Sequence, residues 1–162
     1  MELHPVRAQD VAALAEFLRR VDLTVSGLDA PTVRLWLVRD AVGAIIGSTG
    51  YELGAGGRDV LIRSVAVDPG IRSSGMGRRL ARFAFDRASE EGARQAWLFS
   101  RRSGPFWQSL GFAPADRHAL ADALATTHQV QLFRQTGQLD REVAWFRPLS
   151  DDGRPRTLAA IR

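Results

Sequence analysis

The sequence predicts a mixed α/β fold. Three observations carry that prediction. Short apolar runs of strand length alternate with amphipathic stretches of helix length. A strand runs through a glycine-rich turn straight into the best helix of the chain. The 162 residues, 45% hydrophobic and 25% charged, have the composition of one globular domain with a core of its own.

In order, residues 2–7 read as a short first strand. Asp10 is placed to cap a helix over Val11–Val21, where Val11, Leu14, Leu18 and Val21 recur at helical spacing. Residues 22–32, with Gly27 and Pro31, are irregular. Val33–Arg39 reads as a strand, Asp40–Gly43 as a tight turn and Ala44–Leu53 as the returning strand. Gly54–Gly57 is a hairpin loop before a third strand, Val60–Val67. Gly75–Glu91 is the strongest helix: Met76, Leu80, Ala84 and Ala88 make an apolar stripe that Phe83 widens, and Gly92 suits a left-handed end. Gln95–Ser100 reads as a buried strand and Gly104–Leu110 as a short helix with Pro105 in its first turn. Gly111-Phe112 breaks into another strand, residues 118–127 have helical composition, and Val143–Leu149 is a final strand. The order is β-α-β-β-β-α-β-α-β-β, a single domain over 1–149, and the tail 150–162 is expected to be loose.

The segment Val60–Leu80 carries the chemistry. Its strand stops at Asp68-Pro69-Gly70, since proline lacks the N–H a ladder needs. Arg72-Ser73-Ser74-Gly75-Met76-Gly77 then opens the helix. Such a turn gathers backbone N–H groups around one point, and the positive end of the helix dipole faces the same point, as a phosphate or pyrophosphate requires. A Walker loop is excluded because the chain has no lysine. A dinucleotide fingerprint fits poorly, because Gly75 and Gly77 are followed by Leu80 and a small residue comes only at Ala81. The alternative without a ligand is that Gly75 and Gly77 simply permit a tight turn.

The pattern Arg/Gln-x-x-Gly-x-Gly/Ala, matched by Arg72–Gly77, resembles the pyrophosphate loop of the GNAT superfamily of acetyl-CoA-dependent N-acyltransferases. The resemblance runs over about residues 3–149. It includes Phe106-Trp107-Gln108-Ser109-Leu110-Gly111-Phe112, where GNAT proteins commonly carry aromatic-Tyr-x-x-Leu-Gly-Phe. With Arg63-Ser64 before the cofactor strand, the chain looks most like the arsenic-resistance and amino-acid N-acetyltransferase branches. The resemblance implies a mixed, mostly antiparallel central sheet flanked by helices. It also implies acetyl-CoA as co-substrate, held by Arg72, Ser73, Ser74, Gly75, Met76, Gly77 and Arg78. The backbone of Val65-Ala66-Val67 would pair with the pantetheine arm and aim an N–H at the thioester oxygen, a donor directed at developing charge.

Amide formation also needs a neutral amine and a stabilised leaving thiolate. Glu52 is the candidate base, with Gly47 and Gly50 before it leaving room for a ligand; the alternative is a solvated glutamate beside a hairpin loop. Trp107 stands where the family often places an acid tyrosine. An indole N–H donates a hydrogen bond but transfers no proton, so Trp107 orients the thiolate or water supplies the proton. The sole tyrosine, Tyr51, is a weaker substitute, and both aromatics also suit a core or pocket wall. Arg63, inside an apolar strand, must find an anion: a structural partner in Glu52 or Asp59, or a substrate carboxylate gripped together with Ser64.

Composition excludes other classes. There is no cysteine, hence no disulfide or thiolate chemistry, and no lysine for a Schiff base. His4, His118 and His128 lack metal-ligand spacing, so no metal is expected. The 22 basic residues, all arginine, are dispersed and give a net charge of only +4, unlike a nucleic-acid stripe. No run has membrane-span length and the N-terminus has no signal character, so a cytoplasmic location is expected. The expected function is N-acetylation of a small, carboxylate-bearing primary amine, in a groove lined by residues 22–32, 54–58 and 118–142. A peptide N-terminal acetyltransferase and a non-catalytic CoA-binding domain are the alternatives, and homo-oligomerisation stays open.

Overall fold

The apolar strands assemble in the computed structural model, which describes residues 1–149, into one sheet; the expected tail lies outside them. The strands are β1 (His4–Pro5), β2 (Val33–Arg39), β3 (Ile45–Leu53), β4 (Asp59–Ile62), β5 (Ala66–Val67), β6 (Gln95–Phe99), β7 (Ala113–Ala115) and β8 (Ala144–Pro148). Their order is β1-β2-β3-β4-β6-β8-β7, with β5 also on β3. Every pairing is antiparallel except β4 with β6. The sheet is thus mixed and mostly antiparallel.

Strand alternation sorts the two faces. Trp36, Tyr51, Val60, Ile62, Ala96, Leu98 and Trp145 bury against helix α2 (Met76–Glu90), through its Ala81, Ala84, Phe85 and Ala88. On the other face, Leu35 and Leu37 meet Leu14 and Leu18 of α1 (Val11–Arg20). Farther along that face Leu61, Ala144, Trp97 and Phe99 lie under α4 (Arg117–Ala123) and α5 (His128–Thr136). Helix α3 (Gly104–Ser109) carries the aromatic pair Phe106 and Trp107. No helix among the described residues is long and apolar enough to cross a membrane.

Four local expectations are corrected. Asp10 does not cap α1: its carboxylate accepts from the Arg7 N–H and pairs with Arg39, closing the 3-10 turn Ala8–Asp10 instead. The helix expected over 118–127 ends at Ala123, and a second helix that was not expected, α5, follows from His128. The chain breaks at Leu124, and Thr127 starts α5 by accepting the Val130 N–H. The continuous strand Val60–Val67 is interrupted. Between the pairs Tyr51↔Ile62 and Ser48↔Ala66, β3 supplies two residues, Thr49 and Gly50, against three, Arg63, Ser64 and Val65. The extra residue is a β-bulge, with Ser64 at φ 60. The Arg63 N–H donates to Gly50 O and the Ser48 hydroxyl to Ser64 O, which fix the bulge from β3. Finally, Gly47 and Gly50 do not leave room for a ligand. Leu80 and Met76 of α2 press against Gly47, and a methyl at Gly50 would collide with the Arg34 carbonyl.

Candidate functional site

The bulge and the one parallel pairing create the site. β4 and β6 pair over Asp59↔Gln95, Val60↔Ala96 and Leu61↔Trp97. Beyond Leu61 the chain follows β3 through β5, while β6 stays with β8 through Leu98↔Trp145 and Phe99↔Ala144. The strands part, and a cleft of about 1140 Å³ opens between them. Ile62–Val67 form one wall and Leu98–Ser103 the other. Phe106 and Trp107 close the α2 side, and Gln129, Leu132, Phe133 and Thr136 of α5 the opposite side. The fork therefore joins the two faces of the sheet.

On the α2 side the polypeptide leaves β5 through Asp68, whose carboxylate accepts the Gly70 N–H, and makes 3-10 turns over Pro69–Ser74. Gly75 lies in the left-handed region at φ 80, and α2 starts at Met76. The first turn of a helix leaves amides with no partner inside the helix, and Gly77 in that turn lines the cleft. Ser74 Oγ accepts the Met76 N–H at 3.3 Å. Arg78 reaches Ser109 Oγ at 3.0 Å and ties the start of α2 to α3. The side chains of Arg72 and Ser73 lie outside what is described. Val65, Ala66 and Val67 line the cleft, with β5 bonded to β3 along its other edge. Of the residues expected to hold CoA, Val65, Ala66, Val67 and Gly77 line the cleft, and the rest of the loop adjoins Gly77 at the start of α2.

Trp107 is buried in the wall, edge-on to Phe106 and Phe112. Tyr51 is elsewhere. It points to the α2 face and donates to Glu91 at 2.6 Å. Burial, then the Glu91 carboxylate, pushes its pKa well above the usual phenol range, so it keeps its proton.

Glu52 and Arg63 meet on the α5 face. Glu52 is 0% exposed. Its Oε1 accepts from Arg63 Nη1 at 3.3 Å, and its Oε2 from the His128 backbone N–H at 2.8 Å. His128 Nδ1 lies 2.6 Å from the same oxygen. Glu52 does not line the cleft. Arg63 does, though it is itself buried. Burial lowers its pKa, and the Glu52 charge opposes that shift. Its Nε faces Ser64 Oγ at 3.4 Å, and its Nη2 is buried with no hydrogen-bond partner among the described residues. Asp59 is engaged at the far end of β4 by the Trp97 indole N–H. The 54–58 loop also sits at that far end, where Arg58 O accepts from Arg94 and Gln95, so it does not line the groove.

Two of the segments expected to line the groove, 22–32 and 118–142, do so. The loop after α1 bends over the cleft, tied by Asp22 to Arg102 at 3.3 Å and by Thr24 to Gln129 at 2.8 Å. Glu142 enters the cleft from the turn before β8. Its carboxylate is held by Gln138, four residues before it, and by Arg101, and the sequence alone does not single it out within 118–142. Among the described residues no group of three or more His, Asp or Glu is placed to hold a metal.

The sequence model of the Acetyltransferase (GNAT) family matches residues 8–112. No curated protein matches the chain. Among solved structures, N-acetylglutamate synthase from Neisseria gonorrhoeae, complexed with coenzyme A and N-acetyl-glutamate, is 19% identical with a TM-score of 0.70 over 92% of this chain. The match spans only 35% of that longer chain. An acetyltransferase of GNAT family from Staphylococcus aureus is 14% identical, with a TM-score of 0.72 over 92% of this chain and 100% of that one. Rv2747 from Mycobacterium tuberculosis, in complex with CoA and NLQ, is 15% identical, with a TM-score of 0.71 over 91% and 99%. At these identities the likeness is one of fold.

Proposed function

The chain belongs to the GNAT acetyltransferase family, whose acyl donor is acetyl-CoA, and we propose that its acceptor is a small primary amine bearing a carboxylate. The observation that carries this reading is Arg63. Its guanidinium sits at the fork, one nitrogen fixed on Glu52 and another, Nη2, buried with no acceptor among the described residues. An unsatisfied buried donor costs about 1–3 kcal/mol. A carboxylate entering once the covering side chains part would satisfy it, and Ser64 stands beside it as a second donor. The complexes of the Neisseria and Mycobacterium proteins agree with an acceptor of this size.

In this reading the loop Arg72–Gly77, with Arg78, holds the pyrophosphate. The edge of Val65–Val67 receives the pantetheine arm, and Trp107 lines the position of the leaving sulfur. Glu52, expected as the base, is assigned here to positioning. Both its oxygens are occupied and it has no access to the cleft, so it orients Arg63 rather than accepting a substrate proton.

The test is a screen of amino acids, short peptides and simple amines for CoA thiol release. Small carboxylate-bearing amines are expected to turn over, and Arg63→Lys to raise their KM about tenfold or more with CoA affinity unchanged. Preference for peptides would replace this reading with the peptide N-terminal one. Absence of thiol release with every amine would favour a CoA-binding domain without catalysis.

A further inference from the structure

We propose that Glu142 is the residue that receives the acceptor amine and takes its proton. The proposal rests on the N-acetyltransferase reading above and adds the group that the reassignment of Glu52 leaves missing.

Glu142 is 6% exposed, yet it lines the cleft. Its backbone is fixed: the N–H donates to Leu139 O, and the carbonyl accepts from Arg117 Nη1 at 3.3 Å. The side chain is held by one oxygen. Oε2 accepts from the Gln138 amide at 2.6 Å and lies 3.5 Å from Arg101 Nε. Oε1 takes no hydrogen bond among the described residues and is not among the enclosed orphan atoms, so it is open to the cleft. A carboxylate has about four acceptor sites, and burying one with half of them unused is costly unless a donor arrives.

Among the described residues the cleft has one other lining carboxylate, Asp22, at the rim; its side chain is 73% exposed and paired with Arg102. Glu142 and Arg63 line the same cleft, whose wall also carries the apolar rings of Phe99 and Phe133, in contact with each other. An anion-seeking donor and a cation-seeking acceptor on the walls of one partly apolar cleft select an acceptor charged at both ends. Glu142 takes the ammonium and Arg63 the carboxylate.

The proton balance follows. The ammonium gives one proton to Glu142 Oε1. The neutral nitrogen forms the N–C bond to the thioester carbonyl, the C–S bond breaks with its electron pair on sulfur, and the second proton lost by nitrogen passes through water to the thiolate. Glu142 releases its proton to solvent, so each turnover yields amide, CoA thiol and one proton.

The experiment compares wild type, Glu142→Gln and Glu142→Asp with calorimetric CoA binding as the check on folding. Glu142→Gln keeps the size and is expected to lower kcat/KM for the acceptor about 10²-fold or more, typical of a lost general base, and to remove the acidic limb of the pH–rate profile. Glu142→Asp should recover part of the activity, and CoA affinity should be unchanged in both. If Glu142→Gln binds CoA normally and turns over the acceptor within a few-fold of wild type, the proposal is overturned and the carboxylate reading stands. If wild type acetylates only amines without a carboxylate and Glu142→Gln loses that activity, Glu142 is supported and the carboxylate reading falls. If wild type acetylates no amine, both fall.

Discussion

At Glu52, donors from β4 and α5 converge on two oxygens wholly out of water, and desolvation decides how the residue behaves. A buried ion pair contributes little net stability, but removing one member strands the other, at about 3–5 kcal/mol. Glu52→Ala leaves the Arg63 guanidinium uncompensated and the His128 backbone N–H at the start of α5 unpaired. We expect that loss in urea unfolding, with a smaller loss for Glu52→Gln. The pH–rate profile of whatever folded Glu52→Gln remains should keep wild-type shape; loss of a limb would return Glu52 to the role of base. The sequence required only that Arg63, in an apolar run, find an anion, and it named Glu52 among the choices. His128 lies 76 residues from Glu52, and nothing local marks two groups that meet only after α5 docks.

Elements were legible where local pattern alone decides them. β2, α2 and the break at Gly92 follow from apolar periodicity and a residue that tolerates φ 103. The bulge at Arg63–Val65 was not, because the run Val60–Val67 is apolar on both sides of Arg63-Ser64 and its extra residue exists only relative to β3. The break after α4 is local instead, with Thr127 bonding to Leu124 O and to the Val130 N–H, a cap that helical composition over 118–127 does not reveal. Gly50 makes the bulge possible. A side chain there meets the Arg34 carbonyl and Leu35 of the neighbouring strand, neither of which moves without breaking the β2–β3 ladder. Gly50→Ala should cost about 1–3 kcal/mol by overpacking. It should also lower acceptor turnover, because Gly50 O anchors the Arg63 backbone. Calorimetry and acceptor kinetics check both.

Across the whole molecule the fork couples ligand to fold. CoA would touch the start of α2, the edge of β5 and the wall of β6, three segments that come together only in the native state, so it should stabilise by mass action. At a CoA concentration a hundredfold above Kd this amounts to about 2.7 kcal/mol. For a chain of this size that is a rise in Tm of roughly 5–10 °C. Gly75→Asp and Gly77→Asp should remove the rise without unfolding the protein. At Gly77 a Cβ would lie 3.7 Å from Val67 and 3.8 Å from Phe106, ordinary contact distances. At Gly75 the left-handed φ is one that aspartate tolerates better than most residues. An aspartate at a helix start interacts favourably with the dipole, so the unliganded Tm should hold within a few degrees. The same carboxylate would face a pyrophosphate in the turn, where like charge repels strongly. A full CoA-induced rise in both variants, measured by differential scanning calorimetry, would remove the turn from the binding site and leave the glycines a purely conformational role.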